Sequence, residues 1–424
     1  MGILIPFLVI LFCCLLIWRA CDGFEVASKY VGRHLSEGVR GGTINAISSS
    51  LPELFTTLIA LFVLADKDGF AVGIGTTAGS ALFNGMIIPA LCILFVIGST
   101  LFGKRVTAVN VGFKVIMRDG LTLIGVQIVL VIILMGSKLV WWQGLVLMVL
   151  YGFYLWYMIG SMKSGRGGSV GGNRDDEEIE APRGMIGTIF YWLSLGPLMD
   201  LEGLVVKDRH REQMKNESWN GWPLLMVSAG AIGIACFLLV KGCEWLGTGS
   251  AAHPSYSLFG IEFVGIGMPT MFVAVIFAAM ATSVPDTIIS IRDARDGDYD
   301  DAVANALGSN VFDICFALGF PLFLYTLING PIVMTQETID QSGELRFLLL
   351  LLTVVGFGVY LIGKRGTDAG GVRTIGMTRI NAFLLLLIYA GFIVYIIGRS
   401  GEADWAMGVG EWMRGLMEWL PRMN

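Results

Sequence analysis

Residues 48–57 read SSSLPELFTT, and they decide how the whole chain is read. A proline, a glutamate and five hydroxyl side chains interrupt an apolar run with INAI before them and LIALFVLA after them. Residues 281–290, ATSVPDTIIS, repeat the interruption. Proline inside a helix lacks the N–H that the carbonyl four residues earlier would accept. For Pro52 that carbonyl belongs to Ser48 and for Pro285 to Ala281. Non-helical backbone at membrane depth is tolerated only where it is buried in protein or lines a cavity. Two carboxylates, Glu53 and Asp286, sit directly after the two prolines.

A second block follows each first one. Gly79-Ser80-Ala81-Leu82-Phe83-Asn84 comes 27 residues after Glu53, counted to its serine. Gly308-Ser309-Asn310-Val311-Phe312-Asp313 comes 23 residues after Asp286, counted the same way. The oxygen-rich residue types point to cation binding. Hard cations take oxygen ligands from carboxylates, carbonyls and hydroxyls, and ionisable groups within membrane spans are costly and usually functional. Glu53 and Asp286 together carry a formal −2, matched to one divalent ion or two monovalent ions.

The surrounding composition sets this site in a bilayer. Of 424 residues, 55% are hydrophobic and 15% charged, with a mean hydropathy of +0.71; soluble domains carry about 25% charged residues. The net charge of −5 comes without a basic block, which argues against nucleic acid as a partner. Seven cysteines show no CxxC spacing and read as buried apolar side chains, so neither a disulfide framework nor a zinc site is expected. No cofactor is expected.

Ten segments are candidates to cross a membrane: 3–20, 40–64, 71–98, 120–136, 139–160, 222–246, 262–291, 300–327, 346–363 and 379–397. The first is expected to be a retained span and not a cleaved signal, since no basic region precedes it. With the N-terminus outside, the cytoplasmic connections hold 22 of the 29 Lys and Arg. The C-terminus then also lies outside. The fold class expected is therefore an all-α membrane protein of ten transmembrane helices. Residues 1–160 form a first repeat of five spans and 222–398 a second repeat inverted relative to it. A cytoplasmic connection, 161–221, joins them. It contains a flexible linker (164–174), the acidic run 175–180 and an interfacial apolar segment (183–201). Residues 399–424 form an amphipathic tail with Trp405, Trp412 and Trp419 spaced by seven, an interfacial helix or a surface for homo-oligomers. The compact central connection suggests a prokaryotic inner membrane.

The paired motifs, S-S-x-P-E with G-S-x-x-F-N and T-S-x-P-D with G-S-N-x-F-D, resemble the two repeats of the sodium/calcium exchanger family. Within it, PELFTTLIALF, GSALFN and TSVPDTIISI are most similar to the potassium-dependent branch. The resemblance implies an ion site between spans 2, 3, 7 and 8, with spans 1 and 6 sliding across the rest. It implies Glu53 and Asp286 as central ligands, surrounded by Ser49, Ser50, Thr282 and Ser283 and by carbonyls near Ala46 and Ala279. Ser80 and Ser309 would be flanking Na⁺ contacts, with Asn84 and Asp313 completing the ring; an aspartate at 313 is associated there with K⁺ co-transport. One departure stands out: the family's glycine before the hydroxyl pair is replaced by Ser48 and by Ala281. The function implied is exchange of Na⁺ for Ca²⁺, with Mg²⁺ or Mn²⁺ as other divalent cargoes and H⁺ as the alternative driving ion. An intramembrane aspartyl protease needs Y-D and G-x-G-D inside helices, and Gly297-Asp298-Tyr299-Asp300 falls in a polar loop, so no enzyme activity is expected.

Overall fold

The computed structural model describes residues 2–31, 46–64, 66–101, 103–164, 192, 196–247, 256–367 and 371–417. Nearly all of the predicted linker and the acidic run, most of the segment 183–201, and the tail beyond 417 with Trp419 lie outside the described residues.

The first span is one helix, α1 (Leu4–Val31). The second is broken at Ser50 into α2 (Ala46–Ser49) and α3 (Leu51–Ile59), the latter running into a π-helical turn, Ala60–Leu64. Then come α4 (Asp66–Leu82), a π-helical turn (Phe83–Ile87) and α5 (Ile88–Val96). Two long helices, α6 (Phe113–Ile133) and α7 (Trp141–Ser164), close the first half. Three short helices, α8 (Gly196–Met199), α9 (Leu201–Val205) and α10 (Asp208–Asn216), precede α11 (Trp222–Gly247).

The second half breaks in the same place as the first. A helical stretch made of α12 (Thr270–Val273), a π-helical turn (Ala274–Ala278) and α13 (Ala279–Thr282) stops at Ser283. There α14 (Val284–Asp296) starts at an angle of 44°. Next are α15 (Tyr299–Phe312), a π-helical turn (Asp313–Ala317) and α16 (Gly319–Asn329), then α17 (Gln336–Leu361) and α18 (Arg379–Ser400). The tail forms α19 (Asp404–Met417). Among the described residues seven helices are long and apolar enough to cross a membrane, and the bent pair makes an eighth. A helix lies within each of the ten segments expected from the sequence.

Two apolar cores divide the molecule. One is built by α1 and α11, which pack along their lengths through Cys13, Ile17, Ala20, Cys236, Leu239 and Cys243. This pair meets the broken helices through Ala60, Ala274, Ala278 and Ala281 together with larger side chains, Leu51, Leu54, Phe55, Val273 and Phe277. The other core holds the remaining long helices. Between α4 and the second half the approach is too close for any side chain: a Cβ on Gly79 would stand 2.1 Å from the Val275 carbonyl oxygen, and one on Gly75 would stand 2.5 Å from that of Met271.

Short β-ladders tie the halves together at their connections, a feature the sequence reading did not anticipate. Strand Val109–Gly112, before α6, pairs antiparallel with Arg373–Met377, before α18. Lys138–Leu139, before α7, pairs with Ile332–Val333, before α17. Each ladder joins the lead-in to a fourth long segment with the lead-in to a fifth, so one is the other with the halves exchanged. Strands of two to five residues are too short to carry a period-2 signal.

Candidate functional site

The site grows out of the two breaks. Ser50 leaves the helix at φ −96°, ψ 7°, and Ser283 at φ −82°, ψ 0°. Each caps a new helix with proline in its first turn, where a missing N–H costs nothing, and each new helix has its carboxylate, Glu53 or Asp286, in that same turn. Helix N-termini favour negative charge. The breaks therefore aim two helix starts and two acids at one region.

Ser49, Ser50, Glu53, Ser80, Asn84, Thr282, Ser283, Asp286, Ser309 and Asp313 are all fully buried. Hydrogen bonds bring seven of them into one network across the halves. Ser80 Oγ lies 3.1 Å from Glu53 Oε1, 3.1 Å from Asp313 Oδ2 and 3.0 Å from Ser283 Oγ. A hydroxyl has one proton, so Ser80 donates to Glu53 or to Asp313 at any one time, while it can accept from Ser283. Asn84 Nδ2 reaches Asp286 Oδ2 at 3.3 Å, Ser309 Oγ at 3.2 Å and Ser80 Oγ at 3.3 Å.

The other expected residues are placed differently. Thr282 turns its hydroxyl back onto the Ala279 carbonyl at 3.2 Å, and that oxygen also accepts from Ser283 N at 3.1 Å. Two hydrogen bonds thus converge on the Ala279 carbonyl. Back-bonding of this kind is a local choice open to any helical Ser or Thr. Ala46 opens the helical turn before the first break.

Several participants escaped the sequence reading. Asn305 Nδ2 reaches Ser290 Oγ at 3.0 Å and the Asp286 carbonyl at 3.4 Å, bracing α14 against α15. It lies four residues before Ser309, on the same helix face, and that spacing was the available signal. Cys236 Sγ, from α11, donates to the Pro52 carbonyl at 3.4 Å. Thr57 Oγ1 donates to the Glu53 carbonyl at 2.9 Å. Asn310 reaches across to the Ala81 carbonyl at 2.9 Å.

What the network leaves unbonded defines its chemistry. Ser50 Oγ, Glu53 Oε2, Asn84 Oδ1, Asp286 Oδ1 and Asp313 Oδ1 are buried with no hydrogen-bond partner among the described residues. Among the described residues no Lys or Arg forms an ion pair with the three carboxylates. Nor do three or more acidic, His or Cys side chains converge closely enough to hold a metal alone. Serine and asparagine stand between the carboxylates, so a bound cation would take neutral oxygens as well as charged ones. Buried carboxylates without counter-charge are expensive, and cations are the partners that relieve this cost.

A multi-pass helical membrane protein with a buried cage of carboxylate, hydroxyl and amide oxygens is the class that fold and site define. A profile described as sodium/calcium exchanger protein matches residues 5–160 and 220–398, and the chain belongs to that family. Human sodium/potassium/calcium exchanger 4 is 41% identical over 141 residues, 32% of this chain and 21% of that one. The match thus spans about a fifth of that relative's length. Human sodium/potassium/calcium exchanger 5 is 25% identical over 430 residues, covering 84% of this chain and 79% of the relative. Among solved structures, an H⁺/Ca²⁺ exchanger shares the fold with a TM-score of 0.57 at 13% identity, over 97% of this chain and 92% of that chain.

Proposed function

We propose that this chain is a secondary antiporter that exchanges Na⁺ for Ca²⁺, with K⁺ as a co-transported ion, by alternating access. Its ten spans form two inverted five-helix repeats, with both termini outside. Family membership and the names of the relatives support the ions. The observation that carries the reading is the cage itself. Ser80 and Asn84 from the first half bond to Ser283, Asp286, Ser309 and Asp313 from the second, leaving five oxygens open to a cation.

The mechanism follows from charge. Glu53, Asp286 and Asp313 are three carboxylates, and one divalent plus one monovalent cation balances them. Na⁺ ions compete for the same oxygens. The loaded, neutralised site permits α1 and α11 to slide across the broken helices. The empty site keeps uncompensated charge at membrane depth and resists the switch, which makes exchange obligatory.

The test is flux in proteoliposomes, varying Na⁺, K⁺, H⁺, Ca²⁺ and Mg²⁺ separately. A Na⁺ gradient should drive ⁴⁵Ca²⁺ uptake in the native chain and fail to do so in Glu53→Gln. Uptake driven by a pH gradient alone, or unchanged uptake in Glu53→Gln, would overturn the proposal. Transport of Mg²⁺ or Mn²⁺ in preference to Ca²⁺ would replace the cargo and leave the site.

A further inference from the structure

A cavity of about 510 Å³ opens where the tail helix α19 meets α17, and Asp340, Gly343, Arg346, Glu411, Arg414 and Met417 are among its lining residues. The charges around it are unevenly satisfied. Glu344, buried, is held by Arg399 Nε at 2.8 Å and Arg414 Nη1 at 3.2 Å; Arg414 Nη1 also stands 3.6 Å from Asp340. Arg346 is only 2% exposed. Its Nε donates to the Ser342 carbonyl at 3.0 Å, but its Nη1 has no partner, and among the described residues it makes no ion pair. A buried guanidinium with an unmet donor facing a cavity calls for an anion.

The level of Arg346 in the chain narrows the anion. The polar stretch QETIDQSGE (336–344) precedes it, and the apolar run LLLLLTVV follows two residues after it. It therefore stands where polar helix becomes lipid-facing helix, the level at which headgroup phosphates lie. Beside it, α19 exposes Trp405 (52%) and Trp412 (56%) while burying Ala406, Gly410, Met413 and Met417 against the bundle. Exposed tryptophans on an amphipathic helix belong at that same interface. The second feature is the rim. Asp340 and Glu411 line the same cavity; among the described residues Asp340 has as ion pair only the 3.6 Å contact of Arg414 and Glu411 has none, so this rim suits an ammonium.

We propose that this cavity holds the headgroup of an amine-bearing phospholipid, its phosphate on Arg346 and its ammonium at Asp340 and Glu411. The lipid bridges α17 and α19 and holds the tail helix against the bundle. The site is separate from the ion cage and does not rest on the exchange reading.

Native mass spectrometry of the purified full chain tests it, with phosphatidylethanolamine, phosphatidylglycerol and inorganic phosphate as probes. Phosphatidylethanolamine should remain bound to the native chain and to Arg346→Lys. Retention should fall by about fivefold or more in Arg346→Gln, the loss expected for one desolvated charge-assisted bond. The double variant Asp340→Asn with Glu411→Gln should lose the preference for phosphatidylethanolamine over phosphatidylglycerol. Unchanged elution and melting establish that each variant is folded. If Arg346→Gln does not fold, the rim variant and Arg346→Lys decide. The proposal is overturned if no phospholipid is retained, if the rim variant keeps the preference, or if folded Arg346→Gln retains as much. Inorganic phosphate displacing the lipid would identify a soluble phosphate site and overturn it too.

Discussion

The first-half break at Ser50 and the second-half break at Ser283 are nearly superposable in backbone: φ −96°, ψ 7° against φ −82°, ψ 0°, each followed by proline and then a carboxylate. The π-helical turns Phe83–Ile87 and Asp313–Ala317 also correspond, each opening at the last pair of the second block. The side chains do not correspond. Asn84 is neutral where Asp313 is acidic, and Ala81 offers only its carbonyl, to which Asn310 donates. One further π-helical turn, Ala60–Leu64 after the first carboxylate, has no counterpart in α14 after the second. The halves thus share the backbone that opens a site and divide the chemistry within it. The first contributes the donors Ser80 and Asn84; the second contributes the extra carboxylate.

If that division is right, the greatest loss comes from neutralising either shared acid. Glu53→Gln or Asp286→Asn should each lower Na⁺-dependent ⁴⁵Ca²⁺ flux by about 100-fold or more, since a charged ligand has no substitute in a buried site. Equal retention of flux in both would break the pairing.

The contact between halves is next. Gly79→Ala places its Cβ 2.1 Å from the Val275 oxygen, and this overpacking should cost roughly 1–3 kcal/mol, read as a lowered melting temperature. No loss would mean that α4 does not sit directly on the second half. A smaller, more selective effect is expected from Asp313→Asn, which makes the second half like the first. Flux should persist at roughly a tenth of its level and lose its dependence on K⁺. Persistent K⁺ dependence would separate the third carboxylate from the co-ion.

The mildest change is Ser48→Gly. Ser48 is buried, its hydroxyl 3.3 Å from that of Ser28. Removing the side chain should shift the Ca²⁺ over Sr²⁺ preference by about two- to threefold, a fraction of a kcal/mol, in competition flux. An unchanged ratio would show that residue 48 does not control how closely the backbone approaches the ion.

Much of this site was legible without coordinates, because its strongest signals are local. A proline removes a particular hydrogen bond wherever the chain goes, and an acid inside an apolar run must find a partner or a function. The role of Ser80 was less legible: whether its hydroxyl faces Glu53, Asp313 or lipid depends on the rotation of α4 against the second half. Cys236 was invisible for the same reason, since it acts on a backbone carbonyl from a different helix, and Asn305 carried only its spacing from Ser309. Thr282 shows a local choice as well, since its hydroxyl bonds back to the Ala279 carbonyl of its own helix.

By itself, then, the sequence determined the apolar segments, the two breaks and the acids beside them, since these rest on hydropathy, on the missing N–H of proline and on the cost of burying charge. Only the tertiary structure decided which oxygens face one another, which carbonyl is already occupied, and that a buried arginine outside the ion site keeps one donor unmet among the described residues. Those depend on distances between elements up to 233 residues apart, as for Ser80 and Asp313. Packing sets such distances, and no local pattern encodes them.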